Sequence, residues 1–315
     1  MFCPWLTTES VISVCGIAAQ YIRTLECSAH GPLLMTSHAR ILVTGATGFV
    51  GSAACPALAA RGFNVRAASR AATGDLTKFD RWDELLAGVD CVVHLANLAH
   101  VAASAVAAAR VLNVEATVRL AQAAARRGVR RFIYLSSVKA QIGQAGDDPY
   151  GVLKADAEDE LSTVNGIELV VLRSPLVYGP GVKANFLALM RAIDRGLPLP
   201  LASIRNRRSL IYLGNLADAI ARCVEAQCAG GRTYALSDGA PVSTPELCRA
   251  IGAALGRPAR LFPFPVALLE AAPPLRKLTR SLEVDDTAIR TELGWRPPFS
   301  FEAGMKLTGD WYLRR

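Results

Sequence analysis

From residue 40 onward, short and wholly apolar runs alternate with segments whose apolar positions recur at helical spacing. ILVTG (41–45) reads as a buried strand, followed by a glycine turn and by a helix through CPALAARG (55–62) that ends in glycine. NVRAASR (64–70) predicts a second strand, Trp82 to Gly88 a short helix and CVVHLA (91–96) a third strand. The alanine-rich stretch 101–127 predicts a long helix broken near Asn113. RFIYLSS (131–137) and ELVVLRS (168–174) complete the strands, with a helix through YGVLK (150–154) between them. Strands apolar on both faces and separated by helices predict a parallel sheet covered on both sides. Right-handed crossovers make it a doubly wound α/β Rossmann sheet, with a ligand crevice at the carboxyl ends of its strands.

After about residue 178 the alternation fails, and prolines such as Pro180, Pro198, Pro200, Pro258 and Pro263 punctuate shorter segments. We expect a dinucleotide-type domain over 39–178 and a smaller substrate-binding region over 179–315. The second region is partly interleaved with the sheet through a returning strand at RTYALSD (232–238). Residues 1–38 are expected to be an extension outside the fold; Met35 would begin a compact chain. VISVCGIAA (11–19) is apolar but too short to span a bilayer, and no positive charge precedes it. LFPFPVALLEAAPPL (261–275) carries four prolines and a glutamate, which suits part of an apolar surface or a membrane-surface patch rather than a spanning helix. No integral membrane segment is expected.

Composition narrows the ligand. Hydrophobic residues make up 51% of the chain, which excludes a disordered protein. The net charge of +8 is carried mainly by arginine and favours an anionic ligand. The arginines are scattered, and no zinc finger, basic zipper or RNA-binding signature occurs, so a small phosphorylated molecule is expected rather than a nucleic acid. Eight cysteines without any C-x-x-C, beside only four histidines, predict no metal site and a reducing, cytoplasmic setting.

The first candidate site is the loop after the first strand. Gly45, Thr47, Gly48, Phe49, Val50 and Gly51 form a strand–turn–helix junction whose backbone amides can meet a pyrophosphate at a helix amino terminus. An NAD site usually has an acid at the end of the second strand, for the ribose 2′-hydroxyl. Here Ser69 and Arg70 stand there instead, a hydroxyl and a guanidinium suited to a 2′-phosphate. NADP(H) is therefore favoured, with NAD(H) the alternative. Asp75 and Leu76 are expected beside the adenine.

The second candidate is Tyr150-x-x-x-Lys154, one turn apart on a helix face. A fixed ammonium about 4 Å from a phenol is worth at most about 4 kcal/mol at an effective dielectric near 20, about three pKa units. It would bring the phenol toward neutrality, where proton exchange is efficient.

Together, TGATGFVG (44–51), HLAN (94–97), NVEAT (113–117), YLSSVK (134–139), PYGVLK (149–154), LVYGPG (176–181) and RRSLIYLGNLADAI (207–220) resemble the extended short-chain dehydrogenase/reductases, in particular their sugar-nucleotide epimerase/dehydratase/reductase group. The resemblance covers about residues 39–311. It implies that Ser137, Tyr150 and Lys154 are the catalytic residues, with Ser136 as rival for the serine role. It implies cofactor contacts from Leu95, Ala96, Asn97 and Asn113, and from Lys154 to the nicotinamide ribose. Strand-end packing is the alternative role for the first three, and helix breaking or capping for Asn113. It also implies that Arg208 and Asn185 lie at a nucleoside diphosphate and Lys139 near the sugar; against this, Arg205, Arg207 and Arg208 could be a solvated cluster. Ala116 and Ser174 depart from the common pattern, which more often has glycine and proline there.

The activity implied first is an NADPH-dependent UDP-4-keto-sugar 4-reductase of surface-polysaccharide synthesis, acting on a 4-keto-6-deoxy-N-acetylhexosamine. A UDP-glucose or UDP-N-acetylglucosamine 4-epimerase is the alternative. A hydroxysteroid-type dehydrogenase and a non-catalytic dinucleotide sensor are further readings. A dehydratase would need an acid–base carboxylate pair beside the serine, which SSVKAQ does not offer. A homodimer is expected from the resemblance.

Overall fold

The computed structural model describes residues 38–99, 103–143, 148–272 and 275–315, so the extension expected over 1–38 lies outside the described residues up to position 37. Six strands form one parallel sheet: β1 (Arg40–Thr44), β2 (Asn64–Ala68), β3 (Cys91–His94), β4 (Arg131–Ser137), β5 (Glu168–Ser174) and β8 (Thr233–Ala235), in spatial order β2-β1-β3-β4-β5-β8. The chain runs outward from β1 to β2 and then crosses back to β3. The crevice between the ends of β1 and β3 is therefore the switch point at which ligands bind in such sheets. A second, two-stranded parallel sheet pairs β6 (Leu176–Tyr178) with β7 (Leu210–Tyr212).

The principal helices are α1 (Gly51–Ala60), α2 (Val106–Arg110), α3 (Thr117–Arg126), α4 (Pro149–Ser162), α5 (Ala184–Asp194), α6 (Leu213–Glu225), α7 (Thr244–Ala254), α8 (Thr287–Glu292) and α9 (Phe301–Leu313). Alternate strand residues feed two apolar layers, as period-two geometry requires. Ile41, Val43 and Ile133 pack with Leu58 of α1, Leu216 and Ile220 of α6 and Ile289 of α8. Leu42, Val92, Phe132 and Tyr134 pack with Leu120 of α3 and Leu153 and Leu161 of α4. Full burial of each such side chain is worth roughly 1.5–3 kcal/mol. A third cluster, including Tyr178, Phe186, Met190, Tyr212, Ile251 and Met305, lies around the small sheet.

The long helix expected over 101–127 is not broken at Asn113. Between α2 and α3 it widens into a π-helical stretch, Val111–Ala116. Asn113 lies buried within it, and wide turns of this kind often mark functional sites. The strand expected over 232–238 is shorter, three residues, and pairs with β5. Arg131 is wholly buried at the start of β4. It donates to the carbonyls of Cys223, Ala226 and Gln227 at the carboxyl end of α6 and to Glu168. A cation is stabilised at that negative helix end. Among the described residues no helix is long and apolar enough to cross a membrane.

Candidate active site

The glycine turn is built for close approach of backbone. Gly45 has φ +67°, and a Cβ there would lie 2.7 Å from the amide nitrogen of Ala96 on the neighbouring strand end. A Cβ on Gly51 would lie 2.3 Å from the carbonyl oxygen of Gly45. Thr47 and Gly48 are exposed at the mouth, Phe49 and Val50 half-buried behind them. Helix α1 begins directly after this turn with no side-chain cap and no acid in its first turn. The amides of Ser52 and Ala53 are taken by the carbonyls of Gly48 and Val50. What this junction offers the pyrophosphate of a dinucleotide is therefore the close backbone of the turn and the positive dipole end of α1.

The end of β3 is clamped from two sides. Asn113 accepts from the amide of Leu98 (2.8 Å) and donates to the Leu98 carbonyl (3.0 Å). Its amide is thus spent on the loop that carries Leu95, Ala96 and Asn97, and it does not cap a helix. On the other side Thr44 Oγ1 accepts from the amide of Ala96 (3.5 Å) and meets His94 Nδ1 (2.8 Å). His94 Nε2 lies 3.0 Å from Thr117 Oγ1, which donates to the Asn113 carbonyl. Thr117 therefore accepts from an Nε2–H, which leaves Nδ1 to accept from Thr44. Burial lowers the His94 pKa to about 3, so the ring is neutral, as this chain of bonds requires.

Tyr150 and Lys154 lie on one face of α4, and Glu158 continues it. The helix starts where it does because Asp148 caps the amide of Tyr150 (3.2 Å) and Pro149 occupies the first turn. Gly151 lets the helix press against the chain at Lys139: a Cβ there would lie 2.7 Å from the Lys139 carbonyl oxygen. The Tyr150 hydroxyl accepts from Asn97 Nδ2 (3.3 Å).

Lys154 makes its hydrogen bonds to the end of β4 rather than to the phenol. Its Nζ donates to the Leu135 carbonyl (2.7 Å) and the Tyr134 hydroxyl (3.1 Å), and lies 5.9 Å from the Tyr150 ring centre. Lysine 154 is 2% exposed, and burial, partly offset by Glu158, lowers its pKa to about 7. The phenol moves opposite to the expected direction. Burial raises the Tyr150 pKa to about 12, the Asn97 hydrogen bond pulls it down, and the Asp148 carboxylate pushes it up. The cation is too engaged with the end of β4 to overcome desolvation of the phenolate.

Strand alternation gives the two adjacent serines different partners. Ser136 faces α4 and gives its hydroxyl to Glu158, which also pairs with Arg173 (2.5 Å). Ser137 points to the other face, where among the described residues its oxygen accepts the Lys139 amide (3.3 Å). Lys139 itself pairs with Asp148 (2.5 Å), its Nζ 5.8 Å from the Tyr150 ring centre. Burial would raise the Asp148 pKa, but the Lys139 ammonium, the Tyr150 amide and Lys277 hold it below the usual carboxylate value.

The outlying candidates are placed differently. Arg70 is exposed and opens a helical turn, Arg70–Thr73, at the end of β2. Asp75 spends its carboxylate on Thr77, whose amide and hydroxyl each donate at 2.9 Å, while Leu76 is half-buried against the apolar layer. Asn185 is exposed in the first turn of α5, just after Ala184 with its left-handed φ of +51°. Arg208 donates to the carbonyls of Lys277 and Arg280 and so ties down the segment bearing Lys277. Asp148, Gly151, Tyr134 and Glu158 were not singled out from sequence. The Asp-Pro dipeptide before Tyr150 was the one readable signal, a cap followed by proline.

Residues 41–236 match the NAD dependent epimerase/dehydratase family. The chain belongs to that family. It is an enzyme of the extended short-chain dehydrogenase/reductase type. A protein of Vibrio cholerae named UDP-glucose 4-epimerase is 34% identical over 87% of this chain and 95% of its own. Among solved structures, MoeE5 in complex with UDP-glucose and NAD is similar with a TM-score of 0.72 and 25% identity, covering 88% of this chain and 99% of that one. A UDP-N-acetylglucosamine 4-epimerase from Bacillus cereus shares the fold, with a TM-score of 0.72 at 20% identity and the same two coverages. The matched stretch contains the glycine turn and Ser137, Tyr150 and Lys154.

Proposed function

We propose that this family member is a nucleotide-sugar 4-ketoreductase, taking a UDP-4-keto-sugar of the 4-keto-6-deoxy-N-acetylhexosamine type and favouring NADP(H). The observation that carries this reading is the Tyr150 hydroxyl, held by Asn97 beside the end of β3 and kept protonated by burial. Reduction of a ketone begins from a protonated acid; an epimerase must first take a proton from an alcohol. A bound nicotinamide supplies the hydride. Tyr150 Oη gives its proton to the carbonyl oxygen as the C–O double bond becomes an alcohol. Ser137 Oγ, free of Glu158, donates to that same oxygen. Lys154 fixes the end of β4 and lends its charge to the phenolate that Tyr150 becomes, and as a family member's lysine it is assigned to the cofactor ribose.

Arg70, exposed at the end of β2 where no acid stands, supports a 2′-phosphate. Lys139 and Lys277 are cations beside Asp148, and Arg208 holds the Lys277 backbone carbonyl; these positive charges suit a nucleoside diphosphate. Asn185 at the start of α5 is assigned to the same ligand, and Asp75 and Leu76 to the adenine end. A homodimer in the cytoplasm belongs to the same proposal.

The second reading, a UDP-glucose 4-epimerase, is favoured by the Vibrio cholerae relative. Purified protein mixed with a panel of UDP-sugars and either NADPH or NADH separates the two. Net loss of nicotinamide absorbance with a 4-keto sugar is the expected result. Interconversion of UDP-glucose and UDP-galactose without consumption of cofactor would overturn it in favour of the epimerase.

A further inference from the structure

We propose that Asn97 is a two-sided positioning residue of the acid–base site, its Nδ2 holding the Tyr150 oxygen while its Oδ1 receives a hydroxyl of the bound ligand. The second half rests on one atom. Asn97 Oδ1 is buried and has no hydrogen-bond partner, the one such side-chain atom among the described residues. A carbonyl oxygen left unpaired in the interior forfeits its hydration without replacement, and such atoms call for an explanation. Packing does not supply one, because Asn97 could turn its amide to water if its loop were loose. It is not loose: Ala96 on one side is tethered to Thr44, and Leu98 on the other is gripped through both backbone groups by Asn113. Four residues outside the Ser–Tyr–Lys constellation (Thr44, His94, Asn113 and Thr117) thus hold one amide still.

The donor side is already in use. Nδ2 donates to Tyr150 Oη at 3.3 Å, so the bond strengthens as the phenol gives up its proton and negative charge grows on that oxygen. The acceptor side then faces a donor that the protein itself does not provide. A primary amide offers two donors and one acceptor group, so one side chain serves both contacts. The chemical class that fits the free Oδ1 is an alcohol. The ligands of the proposed reaction carry two such alcohols, a ribose hydroxyl of the dinucleotide and a hydroxyl of the sugar substrate. The inference rests on Tyr150 exchanging the proton, as proposed above, but not on which sugar is reduced.

The test compares Asn97→Ala, which removes both contacts, with Asn97→Asp, which keeps an acceptor and removes the donor. The Tyr150 pKa is read by carbon-13 NMR of ring-labelled tyrosine, without added cofactor or sugar, and assigned with Tyr150→Phe. Both variants should raise it, and Asn97→Asp more, since a carboxylate replaces the donor. Dinucleotide affinity, read by fluorescence quenching, or the KM for the sugar should weaken about 3- to 10-fold in Asn97→Ala, one neutral hydrogen bond. Asn97→Asp should weaken it less. A change in the dinucleotide constant alone assigns the ribose; a change in KM alone assigns the sugar; either supports the proposal. An unchanged Tyr150 pKa in both variants, or equal ligand affinities for wild type and Asn97→Ala, overturns it. If Tyr150→Phe keeps full turnover, the acid–base reading fails instead, whatever the Asn97 variants show.

Discussion

The ammonium of Lys154 donates to the hydroxyl of Tyr134 at 3.1 Å, although Tyr150 is the tyrosine it was expected to serve. The consequence is a lysine buried against the end of β4, with its ring contact to Tyr134 (4.4 Å) closer than that to Tyr150 (5.9 Å). Its burial carries a desolvation cost that pH can reveal.

That cost sets a pH dependence of stability. Lys154 titrates near 7 in the native state, against an ordinary 10.5 when unfolded. Between those values the unfolded chain binds more protons, so stability rises with pH, by at most roughly 1.4 kcal/mol per unit from this group. The clean window is pH 7 to about 9, because the buried thiols of Cys91, Cys223 and Cys248, raised to about 12, act oppositely above it. Urea unfolding of wild type and Lys154→Met across that window should show the upward slope only in wild type. Turnover of the variant should fall about 10²- to 10⁴-fold throughout.

Adjacent serines should separate activity from stability. Ser137→Ala is expected to lower kcat by about 10²-fold or more while leaving thermal unfolding near wild type. Ser136→Ala leaves the buried Glu158 without one donor and should lose about 1–3 kcal/mol of stability with little change in kcat. The reverse pattern would return the catalytic role to Ser136.

Asp148 tunes the phenol through its charge. Asp148→Asn keeps a good helix cap, removes the anion that raises the Tyr150 pKa and leaves the Lys139 ammonium uncompensated. Both changes lower the phenol pKa. For ketone reduction, which needs the protonated phenol, the alkaline limb of kcat/KM against pH should move to lower pH, by on the order of one unit.

Cofactor choice should respond to Arg70. Replacing it by glutamate sets a carboxylate against a 2′-phosphate, and NADPH affinity should fall about 10- to 100-fold while NADH changes less than about 3-fold. Equal losses for both, measured by fluorescence titration, would remove Arg70 from the choice.

Much of this was legible in the chain because period and spacing are local properties. The apolar runs of β4 and β5 fell where they form, at 131–137 and 168–174, because strands covered on both faces leave no polar alternation to confuse them. The glycine turn was equally readable, since Gly45 and Gly51 answer to contacts within one strand–turn–helix unit. The helix around Asn113 was misjudged: propensity cannot show that its side chain grips Leu98, fifteen residues earlier, and that the helix widens to allow it.

Sequence by itself determined the order of elements, a ligand crevice at the carboxyl ends of the strands and the residue types able to move a proton and bind a phosphate, because these follow from backbone periodicity and side-chain chemistry. The switch point between β1 and β3 came from the spatial strand order. Tertiary structure alone decided which serine is free, which tyrosine Lys154 touches and whether the phenol is raised or lowered. Those outcomes depend on burial and on partners brought together from distant segments, and desolvation of a charge is a property of its surroundings rather than of its neighbours in the chain.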